Sequence, residues 1–306
     1  METFIAILLT IVSASTPLLL AAMGELVVER SGVLNLGIEG MMIIGAACGF
    51  AGAIMSGSVL IGFLTGIVGG AILSYFFAVL VLNFATNQVA TGLALTLAGL
   101  GISGLIGKPF AGITIQREPI EFLSFVNDIP VVGPILNGID AVAWFGFALL
   151  LAVAWFLNRT RAGLILRAVG DNPVSAHTLG YNVLRVRLYA ILFGGACAGL
   201  AGAYLSIYYT PFWAREMTAG RGWIALALVV FASWLPYRLL IGAYLFGAVT
   251  ILQFHAQGAQ INIPQQFMAS LPYLATIVVL IVISARQTGR KIHTPASLGR
   301  IFVPDR

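Results

Sequence analysis

The sequence predicts an all-α polytopic integral membrane protein, with about eight to ten transmembrane helices and one short water-facing helix between two of them. Three observations carry this expectation. Of the 306 residues, 59% are hydrophobic and 9% charged, and the mean hydropathy is +0.99, the composition of a chain whose solvent is mostly lipid. Apolar runs of bilayer-crossing length recur from end to end. The polar segments between them have their charges sorted by sign.

Runs of roughly 20 residues fall near 3–24, 38–56, 58–83, 89–107, 140–157, 188–209, 223–236, 238–255 and 270–285. No Lys or Arg precedes the first run and no small-residue cleavage site follows it, so a retained span is expected there in place of a signal peptide. Two stretches fit poorly: 223–236 is short, and 25–37 is too polar for a simple span and too apolar for an ordinary loop. Small residues recur about one turn apart, among them Gly45, Gly49 and Gly52, Gly62, Gly66 and Gly70, and Gly194, Gly195, Gly199 and Gly202. Such rows let helix backbones approach closely where lipid gives no hydrophobic drive for association; a gating hinge is the alternative use. Cys48 and Cys197 each sit inside an apolar run and read as small buried hydrophobes, not a disulfide framework. The organisation expected is one membrane domain, 1–285, and a tail, 286–306.

Orientation follows from the cations. Segment 158–187 carries Arg159, Arg161, Arg167, Arg185 and Arg187 against Asp171, and the tail carries Arg286, Arg290, Lys291, Arg300 and Arg306 against Asp305. Both are expected on the cytoplasmic side. Segment 108–139 has the opposite bias, with Lys108 and Arg117 outweighed by Glu118, Glu121 and Asp128, and is expected outside. The N-terminus then lies outside if 25–37 is a cytoplasmic turn, and inside becomes open if that segment enters the membrane as broken helix. The net charge of +5 calls for no nucleic acid, because inside-facing cations on anionic lipid account for it.

The stretch 170-GDNPVSAHTLGYN-182 carries a full set of helix start and stop signals. Asp171 or Asn172 suits the N-cap, Pro173 the first helical position, and Gly180 the left-handed residue after the end. The helix expected is 173–179. At about 10 Å long it is not stable alone in water, so it must lean on something. Its small, mostly apolar face (Val174, Ala176, His177, Leu179) suits a groove on a partner protein, or equally a loop packed on its own protein.

At this point the sequence resembles a family. The run 168-AVGDNPVSAHTLGYNVLRVRLYAILFGGACAGLAGAYLS-206 looks like the cytoplasmic loop and following span of ABC importer permeases of the branched-chain amino acid and simple sugar class. Within that class, 28-VERSGVLNLGIEGMMIIGA-46 and 216-EMTAGRGWIALALVVFASWLP-236 resemble nucleoside permeases. The resemblance implies a multi-pass subunit of the cell membrane that carries nucleosides or a related sugar-containing solute; another sugar or a branched-chain amino acid is the alternative. It also implies three protein partners: an ATPase subunit, an extracytoplasmic substrate-binding lipoprotein, and a second permease subunit, more readily a paralogue than an identical copy. The helix at 173–179 becomes the coupling helix, with Asp171, Asn172, Pro173, Ala176, His177 and Gly180 forming the contact with the ATPase. The chain itself has no phosphate-cradling loop. Its nearest imitation, 101-GISGLIGKPF-110, has the wrong glycine spacing and Pro109 where Ser or Thr is needed.

For the substrate path the candidates are Asn35, Glu39, Asn87 and Gln88. Polar groups beside membrane-length apolar runs are expensive unless paired or facing a wet cavity. Gly32 and Gly37 would permit a broken segment lined by Asn35, while an interfacial turn with Arg30 paired to Glu29 or a lipid phosphate is the plainer reading. Asn87 and Gln88 offer hydrogen bonds to a base or ribose, or simply cap a helix end. In 215-REMTAGRG-222, Arg215, Glu216 and Arg221 are either solvated loop charges, a contact for a binding protein, or a re-entrant mate of 25–39. His255, Gln257, Gln260, Asn262, Gln265 and Gln266 sit at an outer edge with no metal-ligand spacing. No catalytic residue, metal or cofactor is expected. A secondary transporter would want deep carboxylates in its later spans, and an intramembrane enzyme a facing nucleophile and base; neither pattern is evident.

Overall fold

The computed structural model describes residues 2–115, 132–258 and 294–303, together with isolated positions between 267 and 281. Among these, seven helices are long and apolar enough to cross a membrane. The chain is an all-α polytopic membrane protein. All but isolated positions of the expected ninth run, 270–285, and half of 108–139 (116–131) lie outside the described residues, as do Gln260, Asn262, Gln265, Gln266, Arg286, Arg290, Lys291 and Arg306.

Helix α1 spans Glu2–Arg30, six residues beyond its expected end. Glu25 and Glu29 continue the helix because the protein covers them completely and supplies donors, Asn35 N to Glu25 Oε1 at 3.3 Å and Trp234 Nε1 to Glu29 Oε2 at 2.6 Å. Next come α2 (Ile38–Ser56) and α3 (Val59–Ala78), the latter prolonged by a π-helical turn, Val79–Asn83. Then α4 (Gln88–Gly107) and a short α5 (Val132–Gly138) precede α6 (Ala141–Arg159). Segment 158–187 is not an open loop. Thr160, accepting from Gly163 N at 3.0 Å, starts an amphipathic α7 (Arg161–Asp171), and α8 (Pro173–Thr178) follows directly. Helix α9 (Val183–Tyr204) ends in a second π-helical turn, Leu205–Tyr209. The run 223–236 proves to be half a crossing, α10 (Arg221–Phe231), stopped by Ser233 and Trp234 at φ of 51° and 57°. Helix α11 (Pro236–Gly258) then opens on a proline.

Helices α1 and α9 run antiparallel at the centre, with Gly24 beside Gly194 and Cys197, and Ser31 O accepting from Arg187 Nε at 3.2 Å. Helices α2 and α3 close on α9 through the glycine rows. A Cβ placed on Gly199 would lie 2.3 Å from Gly66 O, one on Gly45 2.4 Å from the Gly199 Cα, and one on Gly202 1.8 Å from Met42 O. These helices touch backbone to backbone, so dispersion between many close atoms holds them where lipid leaves no hydrophobic gain. The Arg30 end of α1, the Arg159 end of α6, the start of α9 and residues 294–303 gather at one end of the bundle, and Leu9 and Gly138 at the other.

Gly199→Ala should therefore force α9 off α3, lowering the thermal midpoint of the detergent-solubilised protein by a destabilisation of about 1–3 kcal/mol. Gly101→Ala, where a Cβ meets nothing within 4 Å, should leave it unchanged or raise it slightly. Equal effects at the two positions would refute the packing argument.

Candidate functional site: two broken segments meeting at Glu39, and the short helix

After Arg30 the chain turns back into the protein. Gly32, at φ +87°, donates to Glu29 O at 2.8 Å and makes the reversal that a side chain there would strain. The irregular residues that follow find partners in side chains: Leu34 N donates to Gln88 Oε1 at 2.8 Å, and Gly37 N to Asn35 Oδ1 at 3.0 Å. Leu36 O accepts from Thr96 Oγ1 at 3.1 Å and from Trp223 Nε1 at 3.3 Å. Because Asn35 N reaches Glu25, five residues back from Arg30 along α1, the segment has climbed roughly 8 Å by Asn35. Segment 25–39 is thus the broken element, not the interfacial turn.

A second irregular segment, 210–220, descends from the other end. Ile115 N donates to Pro211 O at 2.9 Å, Trp213 packs against Gly107 and Phe50, and Arg215 lies beside Gly104. It ends where α10 begins. That helix start has no side-chain cap of its own; Gly220, at φ +81°, precedes it. Its cap comes from α2. Glu39 Oε1 accepts from Thr218 Oγ1 at 2.5 Å and Gly220 N at 2.9 Å, and Oε2 from Gly222 N at 2.6 Å. A carboxylate against the exposed N–H groups and positive pole of a helix start is the favourable sign of charge. Helix α10 is about 16 Å long, and just past its end Trp234 bonds Glu29 and its carbonyl takes Arg30 Nη2 at 2.8 Å. Glu39 therefore sits about half a membrane's thickness from the Arg30 end.

Of the four residues expected on a substrate path, Asn35, Glu39 and Gln88 come together around segment 31–39, all of them buried. Asn87 is exposed, and its side chain accepts from Ala90 N at 3.0 Å, capping α4. Thr218, Gly222 and Trp223 join this site without having been singled out; the signal was the polar cluster at 215–222, whose use as a re-entrant mate of 25–39 is the reading the geometry favours.

At the Arg30 end, α8 is one residue shorter than expected. Asn172 is its N-cap, Oδ1 accepting from Ser175 N at 3.0 Å, whereas Asp171 closes α7. Gly180, at φ +87°, donates to His177 O at 2.9 Å, and Tyr181 N returns to Ala176 O at 3.1 Å, the left-handed stop the sequence implied. Ala176 is buried with Val169 and Val183, while Val174 (61% exposed) and Leu179 (77%) face outward. The short helix leans on its own protein and still presents an apolar edge.

The described residues thus form a helical bundle with two irregular breaks between its ends and a short capped helix at one end. The chain matches, over residues 7–285, the family described as the branched-chain amino acid transport system permease component, and it belongs to that family. It is 39% identical to a candidate glucose ABC transporter permease protein of Haloferax volcanii over 94% of each chain. It is 32% identical both to the nucleoside ABC transporter permease protein of Lactococcus lactis and to the guanosine ABC transporter permease protein of Bacillus subtilis, over 87% of this chain and 88% of each relative. The protein is a multi-pass component of the inner membrane and not an enzyme; a separate subunit hydrolyses the ATP, and a substrate-binding protein is a further partner.

Glu39→Gln removes the charge and turns one acceptor into a donor facing backbone N–H groups. Hydrogen exchange should accelerate at 218–224 by the equivalent of about 1.5–3 kcal/mol, the weight of a hydrogen bond to a charged group. Unchanged protection of those amides would show that Glu39 does not hold the start of α10.

Proposed function

We propose that this permease carries nucleosides or simple sugars inward, along a path that passes the Glu39 junction. Relatives named for glucose, nucleosides and guanosine support this solute class, and a sugar ring is common to all of them. The observation that carries the site is Trp223. It is 45% exposed, its indole N–H is tied to Leu36 O, and it stands at the first turn of α10 beside the carboxylate that joins the two broken segments. A fixed aromatic face next to polar backbone suits a base or a sugar ring. Asn35, Glu39, Asn87 and Gln88 shape the wall of this path by holding 31–37, 210–220 and the start of α4 in place.

In this reading 158–187 and 294–303 face the cytoplasm, as their Arg content favours, and the N-terminal end of α1 lies outside. Asp171, Asn172, Pro173, Ala176, His177 and Gly180 build the coupling helix, and Val174 and Leu179 enter the ATPase cleft. The exposed apolar edge of α3 and α4 (Leu64, Val68, Ile72, Leu93, Leu97) meets lipid and a second permease subunit, for which the family resemblance favours a paralogue. The mass of the purified complex distinguishes one permease species from two.

Reconstituted with its ATPase and binding protein, the complex should import labelled guanosine or glucose only with ATP, and Trp223→Ala should weaken half-saturation by roughly tenfold, in the range of one aromatic contact. Import driven by an ion gradient without ATP would overturn the reading.

Gly180→Val puts a β-branched residue at positive φ, and Asn172→Ala removes a cap worth ~1 kcal/mol. Both should leave the protein inserted while import falls and hydrolysis stops responding to solute. Normal solute-stimulated hydrolysis in both variants would refute α8 as the coupling element.

A further inference from the structure

Residues 294–303 do not trail into solvent. They make a turn at 296–299 and are bonded to four separate parts of the membrane domain. Ser297 donates to Gly170 O at the end of α7 twice, from N at 3.0 Å and from Oγ at 2.6 Å. Gly299 N donates to Gly32 O, at the reversal that starts the broken segment, at 3.1 Å. Arg300 O accepts from Gln88 Nε2 at 3.4 Å and from Arg187 Nη1 at 3.3 Å. Phe302 meets the His177 ring of α8 edge-on, with centroids 5.7 Å apart, and packs against the small cluster of Val169, Ala176 and Val183.

Arg187 explains why this segment is bound so closely. It is 1% exposed, and its guanidinium donates to Ser31 O, Arg300 O and Ser297 Oγ, so backbone and hydroxyl oxygens are its partners in place of a carboxylate. A guanidinium buried in this way is tolerable only while its donors are satisfied. Two of those three acceptors belong to 294–303. Withdrawing the segment would leave Arg187, Gly170 O and Gly32 O short of partners together, so the segment moves with them or not at all. Gly32 leaves no slack either: a Cβ there would stand 2.5 Å from Ser297 Oγ and 2.9 Å from Arg187 Nη2.

We propose that residues 294–303 are a strap that carries the displacement of α8 to segment 31–37 and so to Glu39, with Arg187, Ser297 and Phe302 as its positioning residues. This rests on α8 being the ATPase contact. The route is continuous: His177 pushes on Phe302, the strap is pinned at Ser297 and Arg300, and Gly299 bonds Gly32, from which Glu39 is seven residues away.

The test is the number of ATP molecules hydrolysed per solute imported, measured on the full complex in proteoliposomes with labelled guanosine or glucose. Phe302→Ala and Ser297→Ala should leave the complex assembled and hydrolysing, yet raise that ratio about fivefold, the weight of one buried hydrogen bond or small contact. Phe302→Leu, which keeps an apolar body against α8, should restore most of the coupling. If Asn172→Ala and Gly180→Val uncouple the complex while both strap variants keep the wild-type ratio, the strap is overturned and the role of α8 stands. Reduced assembly with a normal ratio per assembled complex would make 294–303 a structural brace and likewise overturn the proposal. If the α8 variants stay coupled too, the ATPase contact itself is misplaced and the strap falls with it.

Discussion

The carboxylate of Glu39 is the interaction on which the rest of the structure depends. Two helices begin at it inside the protein, α2 with Glu39 in its own first turn and α10 with three donors, Thr218, Gly220 and Gly222, turned toward it. Helix starts leave N–H groups unpaired, and within a membrane no water relieves them. One carboxylate answers the need of α10, and Asn35, from just upstream, answers that of Gly37. Without such acceptors neither break would be tolerable at this depth, and 31–37 and 210–220 would have to continue as ordinary helix.

The glycine-lined contact of α2, α3 and α9 does a complementary task. Its backbones touch at Gly45, Gly66, Gly70, Gly199 and Gly202, which gives many weak contacts and almost no room for a side chain to change rotamer. Packing of this kind resists sliding of one helix past another. Segment 31–37, in contrast, is held by individual side-chain hydrogen bonds, from Gln88 to Leu34 N and from Thr96 and Trp223 to Leu36 O, each replaceable at modest cost. Rigid packing beside singly bonded segments is the division expected of a protein that must shift a path without losing its fold.

Much of the fold was legible because a membrane span announces itself by length and apolarity alone. The run 38–56 matches α2 residue for residue, and 58–83 covers α3 with its π turn. Helix α8 was legible because its signals are local: an Asn before Pro, and Gly180 at the stop. What failed to show was tertiary. Glu25 and Glu29 look like the end of a span until Asn35 N and Trp234 Nε1 are seen to cover them. The choice between turn and broken segment at 25–39 turned on Asn35 N folding back to Glu25, and the partners of Glu39, Thr218, Gly220 and Gly222, lie some 180 residues away in the chain. The cations at 187 and 300 look alike as markers of sidedness, yet Arg187 is buried and Arg300 contributes its carbonyl; only the fold separates them.

Placing the acceptor for one segment on the helix that the other segment opens has a mechanical consequence. Segment 31–37 hangs from the end of the bundle where α8 lies, and 210–220 from the opposite end, where the chain bonds Ile115. Were α10 capped by a side chain of its own segment, 210–220 could shift without disturbing α2. Because Glu39 belongs to α2 and caps α10, a displacement of 31–37 that tilts the first turn of α2 also drags on Thr218, Gly220 and Gly222. The alternative is to leave a buried carboxylate without donors, which costs more than moving the loop. The geometry thus ties the segments that enter from the two ends of the bundle to one carboxylate, so that a displacement of either bears on the other.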